Sequence, residues 1–180
     1  LDAFHRSIPG VQVEMHVMST DNMLKNLKSG VIDLGFLLSH PTVGAPGIDQ
    51  MPVWSSSIGI VTPAGEAPAG VKDLDGVPFV MGLRENWRSW RALLDSACDR
   101  ANLSTVVVDE AWDVQVILQR VAERRGVTFF PLSMADSLPA ALELALIDGL
   151  DAEATISMAW STKADTSLLR QFRNHFPQLA

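Results

Sequence analysis

A hydrophobic pattern that switches several times between strand period and helix period limits this chain to folds that alternate the two elements. From Val11, the residues Val11, Val13, Met15 and Val17 alternate with Gln12, Glu14, His16 and Met18, the signature of a strand with one wet face. A helix should follow, with Ser19, Thr20 and Asp21 as N-cap candidates and Met23, Leu24 and Leu27 as its apolar stripe. Ser29-Gly30 closes it, and Lys25 and Lys28 stand near the negative end of the helix dipole. The nearly continuous apolar run Val31 to Leu38 then reads as a buried parallel strand.

The same order recurs downstream. Pro78 to Met81 is expected as a strand, and Trp87 to Ala101 as a helix with Trp90, Leu93, Leu94 and Ala97 on one side. Val106 to Asp109 is the next strand. Trp112 to Arg125 carries Val114, Ile117, Leu118 and Val121 at helical spacing and is capped by Gly126 before a strand Val127 to Phe130. Such alternation argues for an α/β fold with parallel sheets. Ser57 to Thr62 and Thr155 to Ser161 read as connecting strands, the turn-rich stretch Thr62 to Gly70 ends the first crossover, and a last helix is expected over Asp165 to Phe176.

Composition removes several classes of function. With 47% hydrophobic and 19% charged residues, the chain is too apolar for disorder. The longest apolar run, Leu138 to Leu150, is broken by Pro139, Glu143 and Asp148, so no membrane span is expected, and the N-terminus lacks the pattern of a secretory signal. The one cysteine, Cys98, fits a reducing compartment, and a cytoplasmic location is the expectation. The net charge is -7 and no basic cluster exceeds Arg124-Arg125, so this piece has no footprint for gripping nucleic-acid phosphates.

Several stretches then spell out a family pattern. Phe4 to Asp33 contains Phe-His-Arg-Ser-Ile-Pro-Gly-Val, a Ser-Thr pair and Leu-Lys-Ser-Gly-Val-Ile-Asp, with Leu34 following. Val71 to Val80 reads Val-Lys-Asp-Leu-Asp-Gly-Val-Pro-Phe-Val, and Val121 to Pro131 reads Val-Ala-Glu-Arg-Arg-Gly-Val-Thr-Phe-Phe-Pro. In order and spacing these resemble the effector-binding domain of LysR-type transcriptional regulators, with Leu168 to Phe172 matching the closing helix. The resemblance implies two Rossmann-like lobes joined by two crossover strands, a type II periplasmic-binding-protein-like fold. Lobe I would comprise residues 1–61 and 156–180, and lobe II residues 62–155. It also implies that the family's first strand, winged helix-turn-helix and linker helix are absent from this chain, so that DNA is contacted only through that missing N-terminal domain. Two departures stand out: Arg124 replaces the usual glycine of the third motif, and Glu85-Asn86 replaces a Gly/Ser turn.

In open α/β sheets, ligands sit beyond the carboxyl ends of strands, where N–H groups of the following helices point outward. For a small-molecule effector in a cleft between the lobes, that rule singles out Ser19, Thr20, Leu38, Arg84, Asn86, Glu110, Trp112 and Phe130. Each has a plainer reading beside it. Ser19 and Thr20 serve either as ligand-binding hydroxyls or as N-caps alone. Arg84 pairs either with an effector carboxylate or with Glu85 on the surface, with Arg88 one turn on as an alternative. Glu110 salt-bridges Arg84, meets a donor such as an amine on the effector, or with Asp113 merely favours a helix start. Leu38, Phe130 and Trp112 offer apolar walls, although tryptophans of this kind more often pack in a core. A small organic anion is the expected effector class.

An enzyme is not expected. Cys98 falls on an apolar helix face with no histidine near it in sequence, and His5, His16, His40 and His175 are too dispersed for a local metal pair. No cofactor is implied. The resemblance further implies a homodimer or homotetramer in which Met23 to Ser29 of one copy meets Val114 to Arg124 of another. The alternative reading is a stand-alone solute-binding protein for transport, which shares the two-lobed architecture.

Overall fold

The computed structural model describes residues 2–8, 10–39 and 45–176, with Asp2, Ala3 and His5 described by backbone alone. Pro9 of the first motif, His40 and the side chain of His5 therefore lie outside the described residues. The chain divides into two compact units, residues 1–54 with 155–180 and residues 55–154. The first division falls earlier than the expected boundary at 61. The reason is that Ile58 to Val61 pair with a strand of the second unit and are buried there.

The first unit opens with α1 (Asp2–Ser7) and α2 (Thr20–Ser29). Ser19 caps α2, accepting a hydrogen bond from the Asn22 N–H at 3.4 Å, and Gly30 ends it at φ 73°, the left-handed turn that glycine adopts without a Cβ penalty. Leu27, fully buried, packs with Leu37 and Ala159. β1 (Leu34–Leu38) is shorter than the apolar run suggested. It is also not parallel: it runs antiparallel to the returning strand β7 (Glu153–Ser161), with Phe36 opposite Met158. The expected strand Val11 to Val17 does not form. Residues 11–19 carry no ladder, and Val13, Met15 and Val17 are exposed, Val17 completely. Alternation specifies which face of a strand is wet, but a strand also needs a neighbour for its N–H and C=O groups, and no described segment supplies one. α5 (Ser167–Arg173) is capped by the Thr166 hydroxyl, which accepts from the Leu169 N–H.

β2 (Ile48–Pro63) carries the chain into the second unit and β7 carries it back. There β3 (Pro78–Gly82) is followed by α3 (Arg88–Ala101), β4 (Val106–Ala111), α4 (Val114–Ala122) and β5 (Thr128–Pro131), the alternation read from the sequence. β3 and β4 pair in parallel, whereas β5 pairs antiparallel with β2. β6 (Leu142–Ala145), within the run Leu138 to Leu150, also pairs antiparallel with β2. Phe79 and Phe129 stack at 5.1 Å in the core. Phe130, expected as a ligand wall, is instead buried among Val61, Leu118, Val121 and Leu142, because β5 turns that face toward α4. Among the described residues, no helix is long and apolar enough to cross a membrane.

The end of α4 departs from the expected Gly126 cap. Arg124 takes the left-handed conformation (φ 60°), its N–H bonding to Val121 and that of Arg125 to Arg120, so the Schellman turn comes two residues earlier. Gly126 serves a different need: a Cβ there would come within 2.6 Å of the Pro78 carbonyl, where β5 starts alongside β3. Arg124 thus holds a glycine's backbone geometry while its guanidinium pairs with Glu66 at the surface. Replacing it by Ala removes the pair and keeps the strain, whereas replacing it by Gly removes both. Urea denaturation should find Arg124→Gly more stable than Arg124→Ala by about 1 kcal/mol. Equal stabilities would mean that the turn is not strained.

Candidate functional site

The carboxyl ends of β3 and β4 form an open basin lined by Leu83, Arg84, Glu85, Arg88 and Glu110. Three features of the sequence place these groups. Gly82 ends β3 without a side chain, and the Trp87 indole lies against it, so that an added Cβ would come within 2.6 Å of the ring. The indole N–H donates to the Trp112 carbonyl at 2.9 Å, tying the turn after β3 to the turn after β4. A register shift in the β3–β4 ladder pairs Phe79 with Val107 but Val80 with Asp109, leaving Val108 as the extra residue.

Beyond that bulge the two acidic residues serve different helices. Asp109 takes Arg120 and Arg125, on and just beyond α4. Glu110 takes Arg91 of α3, N to O 2.6 Å. The Arg91 side chain is only 5% exposed, and the same nitrogen also donates to the Gly82 carbonyl at 2.8 Å, so one buried guanidinium joins the ends of both strands. Its Nε is buried without a hydrogen-bond partner, which adds to the cost of placing it there.

Arg84 does not pair with Glu85 or Glu110 as the sequence suggested. Its guanidinium grips Asp95 on α3 at 2.6 and 3.4 Å, and that carboxylate raises its pKa further. The reason is reach: Asp95 stands two turns along α3, on the flank over which Arg84 lies. Trp112 is 68% exposed and is therefore no core residue. Asn86 is exposed beside the basin without lining it. Asp113, grouped with Glu110 as a helix-start charge, caps α4 by accepting from the Gln115 N–H. α3 differs from α2, α4 and α5, since its N-cap, Trp87, provides no side-chain acceptor.

In the first unit, Ser19 is an N-cap, Thr20 is the first residue of α2, and Leu38 is half-buried at the end of β1. Ser39 next to it shares a hydrogen bond between hydroxyls with Ser157 of β7. Sequence reasoning missed Arg91 and Ser157. For Arg91 a signal existed: it shares a helical face with Leu94 and Cys98, and an arginine on an apolar stripe demands a buried acid. Cys98 is buried, and desolvation with Asp95 and Asp99 nearby pushes its thiol up to about 11, so it is held as the unreactive thiol.

The architecture, two α/β units connected by two strands with a charged basin at parallel strand ends, is that of a periplasmic-binding-protein-like ligand-binding domain. The family model for the LysR substrate binding domain matches residues 1–180, and the chain belongs to that family. It is 24% identical over 135 residues to the HTH-type transcriptional regulator AlsR of Bacillus subtilis (strain 168), a match covering 72% of this chain and 44% of AlsR. The chain thus spans less than half the length of that curated relative. Among solved structures, full-length CbnR complexed with its target DNA superimposes with a TM-score of 0.83 at 20% identity, covering 97% of this chain and 62% of that one. The effector binding domain of QuiR in complex with shikimate gives 0.81 at 14% identity, covering 96% and 84%. These likenesses show the fold.

The two arginine pairs should respond very differently to substitution. Removing Arg91 strands Glu110 and the Gly82 carbonyl, and Arg91→Met should cost about 3–5 kcal/mol in chemical denaturation. The Arg84–Asp95 pair is exposed, and Arg84→Ala should cost about 1 kcal/mol or less. Similar losses for both would show that the buried bridge is not what holds the two strand ends.

Proposed function

We propose that this chain is the effector-sensing domain of a cytoplasmic LysR-type transcriptional regulator, binding a small organic acid through the basin at the ends of β3 and β4. The observation that carries the reading is the basin itself: guanidinium groups of Arg84 and Arg88 beside a helix start with no side-chain cap, in a chain that matches the family model throughout. Glu110 lines the same basin, and Asn86 and Trp112 are assigned to it as exposed residues that follow β3 and β4. DNA would be bound by a part of the regulator other than this domain. A solute-binding protein for transport gains no support, since AlsR and CbnR are both described as regulators.

A thermal-shift screen of this chain against aliphatic and aromatic carboxylates, amino acids, sulfate and sugars tests the assignment. A saturating carboxylate should raise stability by about 2.7 kcal/mol at a hundredfold excess over Kd, and Arg84→Ala and Arg88→Ala should each blunt the rise. A flat response over the whole panel would sink the reading of the basin as an effector site.

The oligomer belongs to the same proposal: two copies pair with α2 of one against α4 of the other, as a dimer or as part of a tetramer. The β4 edge and α4 support it from the second unit, where Val106, Val107, Val108 and Val116 are all exposed at 36–54%. Light scattering should find a dimer that Val116→Glu converts to monomer. A dimer that persists in the variant would place the interface elsewhere.

A further inference from the structure

We infer that the first unit carries a ligand site of its own, a pocket formed by α5, β2 and β7, and that it takes a small aromatic carboxylate. The site is independent of the basin in the second unit, since every residue that lines it falls within 1–54 or 155–180. β2 and β7 are neighbours in the sheet, and α5 follows β7 in the chain. Met51 and Pro52 come from β2, Trp160 from β7, and Arg173, Asn174 and Phe176 from the end of α5 and just beyond it. The pocket has a volume of about 780 Å³, within the range of small-molecule sites. Of the described residues that line it, Arg173 alone is charged.

Two contacts hold Arg173. Its guanidinium lies 3.9 Å over the Trp160 ring, and its Nη1 donates to Asp165 at 2.7 Å. Asp165 also accepts from Arg170 at 3.1 Å, so one carboxylate serves two guanidinium groups and the trio keeps a surplus positive charge. Both cations hold the Asp165 carboxyl below its ordinary range, Arg173 foremost. The Arg173 side chain is only 14% exposed, and a cation withdrawn this far from water is stabilised by a counter-charge it need not share. Asp165 engages Nη1 alone, which leaves the donors on Nη2 and Nε for a second acceptor. An arginine that only fastened α5 to β7 would need the Trp160 stack and the Asp165 pair and nothing further. The surplus charge, in a pocket with no acidic residue among its described lining, suits one carboxylate, which a guanidinium binds through two parallel N–H groups. The body of that ligand meets Met51, Pro52 and Phe176, whose ring already stands 5.5 Å from Phe36 and 5.3 Å from Phe172. A flat ring extends this aromatic cluster by offset or edge contact.

Calorimetric titration of this chain with phenylacetate, 2-naphthoate and indole-3-acetate, each beside its primary amide, tests the site. At least one acid should bind, with its amide weaker by about tenfold or more. Two substitutions should then move that affinity in opposite directions. Arg173→Gln should weaken the acid by about tenfold or more, whereas Asp165→Asn, which removes the competing carboxylate, should tighten it by about threefold. An arginine that merely fastens α5 would cost stability in both variants and tighten nothing. Melting curves are recorded alongside, and whichever of the two variants folds decides. An acid lost in Arg84→Ala but indifferent to Arg173→Gln and Asp165→Asn sits in the basin, which overturns the second site and leaves the effector reading standing. Absence of binding by all three acids, or an amide that binds as tightly as its acid, overturns the second site as well.

Discussion

The buried Arg91 bridge is the contact on which the arrangement of the second unit turns. Parallel strands end with carbonyls and side chains directed toward the following loops, and nothing in a two-stranded ladder fixes how those ends stand beyond the last pair. Here one guanidinium from α3 takes the last carbonyl of β3 and the last acidic side chain of β4 together. A charge this deeply buried is costly unless it is paired and hydrogen-bonded, and only this geometry of β3, β4 and α3 provides both partners. Trp87 adds a second tie on the same side, its ring on Gly82 and its N–H on the Trp112 carbonyl. The basin is the surface these contacts leave open.

The bulge in β4 is what makes the bridge possible. With an unbroken ladder, the three valines Val106 to Val108 would alternate faces, and Glu110 would share a face with Val108 and Val106. The extra residue shifts the register between Val107 and Asp109, after which Asp109 serves the arginines around α4 and Glu110 serves α3. Adjacent acids on one strand are thereby separated electrostatically, each with its own cation. One braces the packing of α4, and the other lines the basin at the strand ends.

Much of the fold was legible because it is written in periodicity. The stripes of α2, α3 and α4 and the apolar runs of β3 and β5 depend on local spacing, and their order sufficed for an α/β assignment. What failed depended on partners distant in sequence. Val11 to Val17 has a strand's alternation and no neighbour, and Val31 to Leu38 has a buried strand's composition yet pairs antiparallel with β7, a choice made more than a hundred residues away. The site shows the same division. The strand-end rule picked out Arg84 and Glu110, which line one basin, and Trp112, which is exposed after β4, because it depends on topology alone. It misplaced Phe130, whose strand pairs antiparallel with β2 and turns that ring into the core, and it could not choose Asp95 as the partner of Arg84 or Arg91 as that of Glu110, since ion pairs across elements follow from side-chain reach.

Arg124 shows how a departure from a family pattern can be read physically. A glycine is usual at that position because the turn after α4 needs positive φ, and the chain keeps that turn with an arginine in it. The strain is tolerated where it is local and exposed, and Glu66 offsets part of it. Gly126, by contrast, cannot be exchanged, since the Pro78 carbonyl occupies the space of its missing side chain and the start of β5 beside β3 depends on that approach. Two glycine positions two residues apart in the same motif therefore carry different constraints, one of backbone angle and one of volume. Only the constraint of volume is absolute, which is why the sequence could vary at 124 and keep the fold.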